Sequence, residues 1–258
     1  MAKVQTISKV RRRHRASLVW IIAFELAIVF AGSTLVTPLY LLYRSKFGFG
    51  EITLTLIYAA YVIGNLAALF FFGRLSDQIG RKKTTWPALA VAALSTIAFA
   101  IAPGTACLYV GRILSGFATG LAAGAATAWI TELHPNKDKE DSAVIAVGGN
   151  LLGLALGPAM AGLLARYAPL PLHLSFFLYL ALLMMAAIAI SAVPETVRDP
   201  KSQWDQISLA PRLGVPRQIR MQFLPPAVTA FGIMSLVGFY AALVPGLLAH
   251  DLHRNSPQ

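Results

Sequence analysis

The sequence predicts an all-α, multi-pass transmembrane helix bundle, and three observations predict it. Of the 258 residues, 57% are hydrophobic and only 13% charged, too little polar material to cover the surface of a soluble domain. Apolar windows long enough to cross a bilayer, about 20 residues, recur seven times. They lie at about Leu18 to Tyr43, Ile52 to Phe72, Thr85 to Ala102, Cys107 to Thr131, Ala143 to Ala165, Leu174 to Val193 and Phe223 to Ala249. The cations are also unevenly placed. With a cytoplasmic N-terminus, seventeen Lys and Arg fall in the tail and the second-to-third, fourth-to-fifth and sixth-to-seventh loops, against four on the other side: Arg44, Lys46, Arg166 and Arg254. That is the positive-inside asymmetry, so the net charge of +11 reports orientation and contact with anionic headgroups rather than nucleic acid. The expected setting is a cell membrane.

The elements follow in order. A basic tail over residues 1–17, with Arg11, Arg12, Arg13 and Arg15, leads into an apolar run longer than the roughly 7 to 15 residues of a cleavable signal core, so it stays as the first helix. Residues 18–193 form six helices joined by short loops, as antiparallel neighbours in a bundle are. Residues 194–222 are polar and carry Pro194, Pro200, Pro211 and Pro216, the composition of a linker. A seventh helix over 223–249 and a short tail over 250–258 complete the chain. The fourth span carries Gly116, Gly120, Gly124 and Ala128 and the fifth Gly149, Gly153, Gly157 and Ala161. Small residues at steps of four let helix backbones approach closely in lipid, so both spans are expected inside the bundle.

Enzyme chemistry finds no support. There is no His-Glu-x-x-His, no Gly-x-Ser-x-Gly and no Gly-x-x-x-x-Gly-Lys phosphate loop. Cys107 is the single cysteine and the five histidines are scattered through tails and loops, so no metal or other cofactor is expected.

Between the second and third spans stands Gly73-Arg74-Leu75-Ser76-Asp77-Gln78-Ile79-Gly80-Arg81-Lys82-Lys83. It resembles the signature loop of the major facilitator superfamily, Gly-x-Leu-x-Asp-x-x-Gly-Arg-Lys, with every fixed position filled. Gly73 allows close backbone approach and Gly80 a tight turn, while Asp77 suits a helix N-terminus. The resemblance implies that Asp77 meets a helix of a second bundle in one transport state, and that Arg81, next to Lys82, pairs with Glu132. Two further stretches are similar to motifs of the same family. Leu108 to Gly116 resembles the one whose arginine, here Arg112, is linked to proton transfer. Gly153-Leu154-Ala155-Leu156-Gly157-Pro158, with Gly162 beyond it, resembles the antiporter motif, and Pro194-Glu195-Thr196 resembles a short motif shared by drug exporters and sugar porters. The fold implied is the six-helix N-terminal half of that family, plus one helix.

Within the spans only Glu25 and Arg112 are of charged type. A charge near mid-helix costs about 2.5 to 3.5 kcal/mol to insert, which the apolar residues of each helix offset. Two readings stand for Glu25: a proton carrier that exchanges its proton as access alternates, or a neutral carboxyl hydrogen-bonded inside the bundle. Arg112 either serves in proton coupling, snorkels outward or bonds to interior carbonyls. The two sit on the order of 10 Å apart in depth, too far for a direct salt bridge. Tyr58, Tyr61, Asn65 and Asn150 either line a substrate cavity at mid-membrane or serve as interhelical hydrogen bonds and aromatic packing.

The function implied is transport of a small molecule, with protons, by alternating access in the manner of a drug exporter, and a missing second half or partner is expected to be needed. The alternatives are an uptake porter for sugars or organic acids, which the antiporter motif argues against, and a non-transporting membrane subunit.

Overall fold

The computed structural model describes residues 2–168, 170–198, 200, 208 and 217–254. The expected linker and the end of the short C-terminal tail fall largely outside them. Nine α-helices and no strand are found among the described residues: α1 Ala2–Leu35, α2 Tyr40–Phe47, α3 Glu51–Phe72, α4 Leu75–Ile79, α5 Arg81–Ala100, α6 Thr105–Leu133, α7 Lys139–Tyr167, α8 Pro171–Ser191 and α9 Arg220–Arg254. The chain divides into two compact units, residues 1–211 and 212–258.

Six of these helical segments are long and apolar enough to cross a membrane, among the described residues, so the chain is a multi-pass membrane protein. The helix on the third expected window, α5, falls short of that measure. It opens on Arg81-Lys82-Lys83-Thr84-Thr85 and carries Pro87, and these polar residues dilute its apolar run.

The first span differs from the single rod expected through Tyr43. Helical bonding stops at Leu35, and residues 36–39 form turns in which Thr37 N–H donates to Thr34 O and Leu39 N–H to Val36 O, each at 3.0 Å. Pro38 is the cause, since it has no N–H to donate and its ring excludes the helical carbonyl behind it. Helix resumes as α2, which docks on α5 through the Tyr43 hydroxyl, a donor to Phe99 O at 2.6 Å. A proline about four-fifths of the way along an apolar run is a readable signal of such a break.

α6 is the hub of the first unit, buried along most of its length from Leu108 to Leu133. Its small residues explain the closeness. A Cβ on Gly116 would overlap the carbonyl of Tyr61, and one on Gly64 of α3 the carbonyl of Ile113, so the α3 and α6 backbones touch at paired glycines. Two apolar clusters fill the interior. The smaller, at the end of the bundle that holds α4, packs Leu18, Ile22, Trp129, Ile130, Ile190 and Val193. The larger runs from there toward Tyr40 and Tyr43.

α7 corrects the expectation drawn from its glycines. One face seats Gly149, Gly153 and Gly157 on the carbonyls of Ala23, Ala27 and Ala31 of α1, and Thr34 adds a hydroxyl bond to Leu154 O at 3.2 Å. The other face exposes Val144, Val147, Leu151, Leu152, Leu156 and Leu163. A small-residue stripe specifies one close seam and leaves the rest of the helix surface unassigned. Within its unit α7 is a peripheral helix, whereas α6 is interior.

The second unit is α9, preceded by a single 3-10 turn over Arg217–Ile219. Pro225 and Pro226 remove two backbone donors from its first turns, and the Thr229 hydroxyl donates to Pro225 O at 2.9 Å.

Candidate functional site

Two polar constellations stand out, one at the α4 end of the first unit and one deep in the spans. The first is built by the α4–α5 corner. Gly80 takes φ +116°, a conformation side chains rarely adopt, and this turns the chain so that Arg81 opens α5 while facing α6. Its guanidinium then holds three groups. Nη2 donates to Glu132 Oε1 at 2.7 Å and Nε to the same oxygen at 3.3 Å. Nη1 pairs with Asp77 Oδ1 at 2.5 Å and donates to Ser76 Oγ at 2.8 Å. Burial works against the charged guanidinium, but the hydrogen bonds and charges of Glu132 and Asp77 outweigh it, and its pKa is held above the ordinary arginine value. The Arg81 side chain is 8% exposed and that of Asp77 57%, so the cluster presents its acid to the surface.

Glu195, which the sequence offered only within the Pro194-Glu195-Thr196 motif and without a role, completes this corner. Its carboxylate accepts from the backbone N–H groups of Arg81 at 2.9 Å and Lys82 at 3.0 Å. An anion thereby fills the electropositive N-terminus of α5, a place that Asp77, engaged with Arg81, leaves vacant. Lys82 answers in the reverse sense. Its ammonium donates to Ser191 O at 2.6 Å and Val193 O at 3.1 Å, carbonyls at and just beyond the end of α8. The hydroxyl of Thr196 donates to Glu132, and Trp129 Nε1–H to Pro194 O at 3.1 Å. Pro194-Glu195-Thr196 therefore ties α5, α6 and α8 together, and the signal was an acid directly after the sixth span. Gln78 of α4 exchanges two bonds with the backbone of Ser208, at 3.0 and 2.8 Å.

The second constellation surrounds Arg112, 5% exposed. Of the three readings open to it, the geometry is that of an interior carbonyl bond: Nη1 donates to Ser33 O at 2.5 Å. The Pro38 break explains why that carbonyl is free, because Thr37 N–H, its ordinary helical partner, turns to Thr34 O instead. Three rings flank the cation, with Cζ 5.0 Å from the centroid of Tyr58, 5.3 Å from Tyr61 and 5.9 Å from Tyr40. Tyr40 and Tyr58 meet edge to face at 5.1 Å, and Tyr61 Oη lies 2.9 Å from Thr119 Oγ1.

Glu25 stands apart from it. It lies eight residues before Ser33 on α1, about 12 Å of helix rise, and the two charged groups form no ion pair. Glu25 is 1% exposed, and neither carboxylate oxygen has a hydrogen-bond partner among the described residues. Tyr179 of α8 lies within electrostatic reach of it. Above it, between α1, α5, α6 and α8, Gly32, Ser95, Thr96, Ser115 and Tyr179 border a cavity with room for about one water.

The remaining sequence candidates are dispersed. Gly153 and Gly157 lie in the α1–α7 seam, Pro158 sits inside α7, and Gly162 faces open space. Asn65 sits on α3 against Gly120 of α6, and the buried Oδ1 of Asn150 has no partner among the described residues.

A family model described as Major Facilitator Superfamily matches residues 22–254. The chain is 24% identical over 229 residues to the quinolone resistance protein NorA of Staphylococcus aureus (strain MRSA252), covering 86% of this chain and 57% of that protein. It is 24% identical over 168 residues to multidrug resistance protein 2 of Bacillus subtilis (strain 168), covering 65% and 41%. Among solved structures it resembles the human organic anion transporter MFSD10 (TETRAN), with a TM-score of 0.56 at 19% identity over 70% of this chain and 48% of that one. A peptide transporter POT in complex with sulfate gives a TM-score of 0.53 at 19% identity, covering 90% and 46%. The chain thus spans about half the length of the relatives it matches.

Proposed function

This chain belongs to the major facilitator superfamily, and on that footing we propose that it forms one bundle of a proton-coupled exporter of drug-like small molecules working by alternating access. Glu25 carries the reading. A carboxyl at the edge of mid-membrane, sealed from water and without a hydrogen-bond partner, is kept neutral by its surroundings and ionises only when water reaches it. Alternating access supplies that water on one side and then the other. Glu25 is then the proton carrier, and Arg112, two turns away, biases it through its charge. Tyr58, Tyr61, Asn65 and Asn150 border the path of the substrate.

Export is supported by the seam of Gly153 and Gly157 on α1 beside Pro158, a bend on which two helices can shift, and by relatives named for drug resistance. Arg81, Asp77 and Glu132 form half of a latch at the end that faces the cytoplasm, together with the N-terminus. A second bundle supplies the surface that the exposed Asp77 meets and the opposite wall of the cavity. In vesicles from cells carrying the protein, quinolone flux should draw down an imposed pH gradient. Glu25→Gln should lower that pH-driven flux at least tenfold while flux down a quinolone gradient persists. Equal pH-driven flux in the variant would overturn the proton assignment.

A further inference from the structure

Arg112 is buried with too few partners for a cation. One donor nitrogen meets the Ser33 carbonyl, and three ring faces surround the guanidinium. Nε has no hydrogen-bond partner, and no acid pairs with the charge among the described residues. Glu25, the other charged residue type of the spans, is two helical turns away. Ring faces contribute roughly 0.5 to 2 kcal/mol each to holding a cation, and they accept no ordinary hydrogen bond from Nε. Tyr40, whose ring flanks the cation, carries a second unused donor, since its hydroxyl is also buried and has no partner among the described residues. Tyr40 is 2% exposed, whereas Tyr58 and Tyr61 are only half-buried, so the box is closed by α2 and thinner on its α3 side.

An uncompensated cation flanked by aromatic rings, with unused donors on Arg112 and on the adjacent Tyr40, has a complementary ligand. We infer that Arg112 and Tyr40 form an anion subsite that takes the carboxylate of an organic anion, with Arg112 supplying charge and a hydrogen bond and Tyr40 a second hydrogen bond. This rests on the transport reading above and narrows its substrate to molecules bearing a carboxylate. It assigns to Arg112 a direct contact with the substrate, in addition to any influence on Glu25.

Equilibrium binding to the purified protein in lipid nanodiscs tests it, with benzoate as probe and benzamide as its uncharged counterpart, read by calorimetry. Benzoate should bind at least tenfold tighter than benzamide. Tyr40→Phe keeps the ring and its packing and removes one hydroxyl, so it should weaken benzoate about tenfold and leave benzamide unchanged. Arg112→Gln should abolish the preference for the anion. Equal binding of the two probes, or a benzoate preference that survives both substitutions, would overturn the subsite. Because no flux is measured, benzoate binding without quinolone transport would sink the transport reading alone. Proton-driven quinolone flux with no benzoate preference would sink the subsite alone.

Discussion

Arg81 and Arg112 are nearly equally buried, yet one closes a network and the other leaves one open. Arg81 has two carboxylates and a hydroxyl within hydrogen-bond distance. Arg112 has one carbonyl, three rings and a spare nitrogen. The difference follows from depth. At the bilayer edge an acid such as Asp77 remains half in water, so a counter-ion costs little to place. Within the spans a second charge would have to be desolvated too, and neutral carbonyls and ring faces are the cheaper partners. Satisfaction at the edge makes Arg81 a structural tie, while incompleteness in the span leaves Arg112 able to accept a ligand.

Removing each arginine is the sharpest way to break this comparison. Arg81→Gln strands Glu132 and should destabilise the protein by about 3 kcal/mol, discounted from a fully buried pair because Glu132 is partly exposed. Arg112→Gln should cost under about 1 kcal/mol, since the lost carbonyl bond is offset by relief of an unpaired charge. Thermal unfolding in detergent compares the two, and equal losses would erase the distinction. An effect smaller than that of Arg81→Gln is expected at Gly80. An alanine there would be strained at φ +116° and would meet the Glu195 carboxylate, so Gly80→Ala should cost about 1 to 3 kcal/mol. Glu195→Gln is expected below Arg81→Gln and Gly80→Ala. It keeps the shape of the cap but loses its charge at the α5 N-terminus, and should cost about 1 kcal/mol. Faster amide exchange at Arg81 and Lys82, with Arg112 contacts unchanged, is the accompanying signature. If Glu195→Gln instead destabilised as much as Arg81→Gln, the cap rather than the ion pair would be the tie.

Much of the fold and part of the site were legible beforehand. The apolar windows at Ile52 to Phe72 and Leu174 to Val193 coincide closely with α3 and α8, because a chain that crosses lipid must satisfy its backbone within each helix and shield it with apolar side chains. The ordered pattern from Gly73 to Lys83 singled out the α4–α5 corner because its turn at Gly80 is local, and the resemblance paired Arg81 with Glu132, found 2.7 Å apart, whereas the Arg81 pair with Asp77 was not read from the sequence. Glu195 was named only within its short motif, and its role stayed hidden because it is exerted across the bundle, on a helix end more than a hundred residues earlier.

The sequence by itself determined which segments are helical, where the polar corners interrupt them and that the chain belongs in a bilayer, because hydropathy and turn chemistry are properties of neighbouring residues. Only the tertiary structure decided that α7 is peripheral while α6 is central, that the Pro38 break frees Ser33 O, and that Arg112 lies among Tyr40, Tyr58 and Tyr61. Those outcomes depend on the rotational phase and axial offset at which packed helices meet. Paired glycines such as Gly64 and Gly116 set these by letting two backbones touch, and no single segment encodes them.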